Sequence, residues 1–129
     1  VSGETDINRG TTGSRADLRK RTKAFALRVI KVYAALDKSG VAQVLGRQLL
    51  RSGTSVGAHH REAARSRSVA EFVSKMEGGL MELDETAYWL ELLAESKTMT
   101  QARLAPLLDE ASQLTAIFVA SIKTAKQKR

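Results

Sequence analysis

Residues 68–95 read SVAEFVSKMEGGLMELDETAYWLELLAE, and this stretch decides the fold class. Ser68 followed three residues later by Glu71 has the form of a capping box, which satisfies backbone N–H groups left open at a helix start. Phe72, Val73, Met76, Leu80, Leu83, Ala87, Leu90 and Ala94 then return every three or four residues, the period of one helix face. Toward the C-terminus Thr98 and Thr100 break the pattern. Pro106 is tolerable only near a helix start, and Leu107, Leu108, Ala111, Leu114, Phe118 and Ile122 form a further stripe.

The same period runs toward the N-terminus. Val41, Val44, Leu45, Leu49 and Val56 mark a helix that starts after the Ser39-Gly40 break and ends near Ala64. Before it, Ser14 with Asp17 resembles a second capping box, and Leu18, Phe25, Val29, Val32 and Leu36 mark a helix to about Asp37. No strand pattern of comparable length occurs. Connections of a few residues between long helices favour antiparallel neighbours. The expected fold is therefore all-α, an antiparallel up-down-up-down four-helix bundle over 14–129. Val1 to Gly13, with three glycines and scarcely an apolar residue, is expected to be a flexible N-terminal tail.

A chain of 129 residues is long enough for one domain with its own core. The absence of cysteine excludes disulfides, a thiolate nucleophile and cysteine-ligated zinc. No apolar run approaches the roughly 20 residues that span a bilayer, and the first residues are polar rather than signal-like. The expected location is the cytoplasm, with no membrane partner.

The net charge is +7, unevenly placed. Val1 to Arg67 holds 14 basic and 5 acidic residues, whereas Glu71 to Glu95 holds seven acids against Lys75. The two halves can neutralise one another across a bundle or a subunit contact, and the residual positive charge suits a polyanion. Arg15, Arg19, Lys20, Arg21, Lys23, Arg28 and Lys31 on the first helix, with Lys123 and Lys126 near the chain end, are the candidate nucleic-acid contacts. They hold phosphates by charge and hydrogen bonding without reading bases. Few aromatics lie among them, so base stacking is not indicated.

Catalytic constellations are missing. His59 and His60 are adjacent and point about 100 degrees apart on a helix, so they do not converge on a metal. Glu82 and Glu85 share a face, but seven acids on one helix fit a salt-bridged surface better than paired catalytic carboxylates. Ser52, Thr54 and Ser55 lack an oxyanion loop and an orienting acid. Gly53 and Gly57 lack the lysine pattern and preceding strand of a phosphate loop. No enzyme activity, cofactor or metal is expected.

Tyr88, Trp89, Leu90, Leu92 and Leu93 cover more of their helix than one partner face can bury, and Ile117, Phe118 and Val119 repeat the excess. A second buried surface between identical subunits follows as an expectation, hence a homo-oligomer. Gly46, Gly53 and Gly57 near one face of the second helix point to close backbone approach there, with a bend or fraying at Gly53 as the alternative.

The run Gln48 to Ala63, QLLRSGTSVGAHHREA, resembles the signature of the four-helix bundle proteins encoded in intervening sequences of bacterial large-subunit ribosomal RNA genes. Ser66, Ser68, Phe72 and Lys75, then Glu85-Thr86-Ala87-Tyr88-Trp89-Leu90 and Leu93, fall where that family has its acidic and aromatic block. The similarity covers roughly Leu18 to Lys126. It extends to the accessory variability determinant of diversity-generating retroelements, which implies a barrel-like homopentamer, contact with nucleic acid and a reverse transcriptase as partner. Two features depart from the family pattern: His59 replaces a usual asparagine, and Gly78-Gly79 stand where better helix formers are usual.

Within the signature, Arg51, Gly53, Gly57, Arg61, Glu85, Tyr88 and Trp89 are expected at intra-bundle or subunit contacts. The functional expectation is a non-catalytic basic homopentamer that binds RNA or DNA through phosphates as an accessory factor. The alternative is a scaffold that recruits an acidic protein partner.

Overall fold

The computed structural model describes residues 15–38 and 40–128, without the side chains of Arg15 and Ala16, as four helices and no strand among them. They are α1 (Arg15–Ala35), α2 (Gly40–Ala64), α3 (Val69–Glu95) and α4 (Gln101–Lys126). The expected tail over 1–13 and the Ser14 cap lie outside the described residues.

Local chemistry sets the helix ends. Ser68 is extended, and its hydroxyl accepts the Glu71 N–H at 3.0 Å. The returning arm differs from a capping box: Glu71 Oε1 accepts the N–H of Arg67, 2.7 Å away, rather than that of Ser68. α3 stops where Lys97 takes φ 60°, which lets the N–H groups of Thr98 and Met99 reach the Leu93 carbonyl. A non-glycine residue in that left-handed region costs about 1 kcal/mol. Thr100 caps α4 by accepting the Arg103 N–H. Pro106 lies deeper than a first turn, as the sixth residue of α4, and leaves the Ala102 carbonyl without its helical donor. Both residues are exposed, so water can take that place.

Contacts between the helices fix an antiparallel order. Thr22 packs at Gly57 and Leu36 at Gly46 between α1 and α2. Ser52 meets Thr86, and Glu62 meets Lys75, between α2 and α3. Phe118 covers Gly79, and Lys126 reaches Glu77, between α4 and α3. α1 and α4 share the thinnest seam, tied by Arg21 to Glu110.

The core is filled by Phe25 and Val29, Leu49 and Val56, Met76, Leu83 and Leu90, and Leu104, Leu114 and Phe118, all fully buried. One part of the sequence expectation is corrected. Val41 and Val44, placed on the core face of α2 by apolar spacing, are each 62 % exposed. Ala42, Gly46, Leu49, Gly53, Val56 and His60 form the buried line instead. Gly46 and Gly53 lie where a Cβ would collide with Leu36 and Val29 of the α1 side, and Val41 and Val44 fall off this line. Among the described residues, no helix is long and apolar enough to cross a membrane.

Candidate functional site

The signature segment occupies the middle of α2, and its polar residues divide between two flanks. On the flank facing α3, Arg51 reaches two carboxylates one helical turn apart. Its Nη2 donates to Glu85, and its Nη1 lies 3.5 Å from Glu82. Glu85 also accepts the indole N–H of Trp89 at 3.1 Å. The hydrogen bond from Arg51, then that from Trp89, holds the Glu85 carboxyl below its usual pKa, and Glu85 and Glu82 together raise that of Arg51. Behind this surface network the buried hydroxyls of Ser52 and Thr86 lie 2.9 Å apart. Tyr88 stands edge-on to Trp89, their ring centroids 5.0 Å apart, and is 53 % exposed.

The two histidines diverge. His60 faces the core beside Phe118. His59 lies on the α3 flank, its Nδ1 3.5 Å from Glu62 and its Nε2 3.8 Å from Glu82. A Cβ at Gly78 would lie 3.0 Å from the His59 ring, so the sizes of the side chains at 59 and 78 are linked. The imidazole takes the space that a larger residue at 78 would fill. Among the described residues, no group of three or more His, Cys, Asp or Glu is placed to hold a metal.

On the flank facing α1, glycines set the approach. A Cβ at Gly53 would lie 2.6 Å from Val29 Cγ2, and one at Gly57 would lie 3.2 Å from Thr22 Oγ1. Close approach, rather than a bend or fraying, explains Gly53. Arg61 lies one turn beyond Gly57, half-buried, and none of the ion pairs among the described residues includes it.

The candidate nucleic-acid contacts separate into two kinds. Arg19, Lys20, Lys23 and Lys31 are exposed along α1, Arg28 is half-buried, and Lys123 is exposed on α4. Arg21 instead donates to both oxygens of Glu110, at 3.1 and 2.7 Å, and to Gln113. The hydrogen bond to Glu110 raises the Arg21 pKa. Lys126 lies 3.5 Å from Glu77, beside an open cleft of about 420 Å³ walled by Leu80, Val119 and Ile122. The Arg15 side chain lies outside the described residues.

A family model described as 23S rRNA-intervening sequence protein matches residues 15–120. The chain belongs to that family. A crystal structure of a protein of unknown function from the S23 ribosomal protein family of Bacteroides thetaiotaomicron is 32% identical, with a TM-score of 0.79. The match covers 84% of this chain and 97% of that one. No curated protein matches.

Sequence reasoning expected Arg51 at an intra-bundle or subunit contact but missed Glu110 as the partner of Arg21. The available signal was an acid on α4 amid a basic excess on α1. It also missed Thr86, whose hydroxyl resembles a surface residue until the register with Ser52 is known.

Proposed function

We propose that the protein is a non-catalytic, homo-oligomeric four-helix bundle that binds RNA or DNA through backbone phosphates as an accessory factor. One observation carries the reading. Arg21, Arg51, Lys75 and Lys126 are engaged by carboxylates, whereas Arg19, Lys20, Lys23 and Lys31 form no ion pair among the described residues. Exposed cations without compensating acids attract a polyanion and exchange counterions for phosphates. Membership of a family described by 23S rRNA supports an RNA partner.

The self-association half of the proposal is supported by apolar exposure. Met81, Tyr88 and Val119 on α3 and α4, with Val41 and Val44 on α2, are each about half or more exposed in the single chain. A ring of five copies is the assembly we propose. In a retroelement setting a reverse transcriptase is its further partner.

Retention of labelled RNA and DNA at low salt, lost on adding salt, tests the binding half. The triple charge reversal of Arg19, Lys20 and Lys23 is expected to abolish retention. Arg21 is left intact because its guanidinium ties α1 to α4. Failure of the wild-type protein to retain any nucleic acid removes the reading. Mass in solution tests the assembly: five times 14.1 kDa is expected, and a monomer at micromolar concentration overturns it.

A further inference from the structure

We propose that the outer groove between α1 and α2 is a track for the phosphodiester backbone of one nucleic-acid strand, with Arg19 and Lys23 on one bank and Arg61 and Arg65 on the other. The inference rests on the nucleic-acid reading above and narrows it to one face of the molecule.

The helix register places these four cations. Gly57 of α2 approaches Thr22 of α1, where a Cβ would sit 3.2 Å from Oγ1 and 3.6 Å from the Thr22 backbone carbon. Arg19 precedes Thr22 by one turn, and Lys23 follows it on the outward side. Arg61 follows Gly57 by one turn of α2, turned a little further from the core, and Arg65 stands in the turn just past Ala64, where α2 ends. The helices run oppositely, so all four gather at the end of the bundle where α1 begins and α2 ends. Arg19, Lys23 and Arg65 are exposed, and Arg61 is half-buried.

No described carboxylate neutralises this groove. α1, α2 and the link between them hold three acids, Asp17, Asp37 and Glu62. Asp17 acts on Arg21, on the side of α1 that faces α4. Asp37 lies at the opposite end of the bundle and accepts the Lys38 N–H. Glu62 turns to Lys75 and His59 on the α3 side. Like charges facing one another across a tight seam repel, and the cost is relieved when an anion lies between them. A phosphodiester chain supplies an anion at each step along the groove. The banks offer ammonium and guanidinium donors and no aromatic ring, so the contact is to phosphates rather than bases or sugars.

The test compares two double variants that remove equal charge. Arg61→Gln with Arg65→Gln strips one bank, whereas Lys38→Gln with Arg103→Gln removes two exposed cations from the far end. Helical content by circular dichroism confirms that both fold. With short single-stranded RNA and DNA of one sequence, the bank variant is expected to lose at least about tenfold in affinity at low salt. Its log–log salt slope should fall by about 1.4, while the far-end variant stays within about twofold of wild type. RNA and DNA should bind within about threefold of one another, because phosphates are common to both.

Equal losses in the two variants, or a bank variant that binds as wild type does, would overturn the groove assignment and leave the broader nucleic-acid reading standing. A preference above about tenfold for RNA overturns the phosphate-only contact, since only the 2′-hydroxyl separates the probes' backbones. A wild-type protein that binds neither strand removes the broader reading and this inference with it.

Discussion

On the flank of α2 that faces α3, Arg51 meets Glu82 and Glu85 outside the buried Ser52–Thr86 hydroxyl pair. On the flank that faces α1, Arg61 stands one turn from the close approach at Gly57 and forms no ion pair among the described residues. One helix thus presents arginines on two seams, and the neighbour determines what each arginine does. α3 brings acids to its seam and makes Arg51 a strut. α1 brings Arg19 and Lys23, and Arg61 meets no described carboxylate there.

The largest expected effect tests whether the α1 seam depends on contact rather than charge. Gly53→Ala drives a methyl group to 2.6 Å from Val29 Cγ2. Overpacking costs about 1–3 kcal/mol, offset in part by up to about 1 kcal/mol of better helix propensity. A fall in stability is expected in urea unfolding, and a more stable variant would break the account of that seam. Next comes the α3 seam. Thr86→Val removes a hydroxyl that serves Ser52 and the Glu82 carbonyl, at an expected cost of about 1 kcal/mol. No loss of stability would show that the buried hydroxyl pair contributes nothing.

The smallest effect sets the two arginines against each other. Arg51→Gln should cost about 0.2–1 kcal/mol at neutral pH, because its pairs are largely exposed. Arg61→Gln should cost less than about 0.3 kcal/mol, as for a surface charge without a partner. The folded-state pKa of Glu85 is lowered, so its pairing contributes above the unfolded carboxylate pKa and is lost as pH falls through the folded value. Wild type and Arg51→Gln are therefore expected to converge in acid, once pH has fallen below the folded-state value. A gap that persists there would assign the effect to packing of the arginine stem.

The fold was largely legible because its signals are local. Apolar spacing and the Ser68 cap located α3, and the short links set the antiparallel order. The core of α2 was less so, since Val41 and Val44 carry a stronger apolar signal than Ala42 and Gly46, which are buried. Periodicity weights side chains by hydrophobicity, whereas a close helix seam selects them by size. The candidate site was legible in composition but not in partition. Sequence shows that Arg21 and Arg19 are alike in type, yet only the three-dimensional register puts Glu110 beside one of them. Arg61, expected at a structural contact from its place in the signature, has a setting fixed by residues forty positions away.

The imidazole of His59 and the bare backbone of Gly78 also bear on how this sequence can change. A methyl group added at 78 meets the ring at 3.0 Å, whereas a smaller side chain at 59 would leave that space open. Substitutions at these positions are therefore coupled, and their joint effect should differ from the sum of the two. Replacing His59 by a smaller side chain before Gly78 by alanine avoids the collision, whereas the opposite order must first displace the ring.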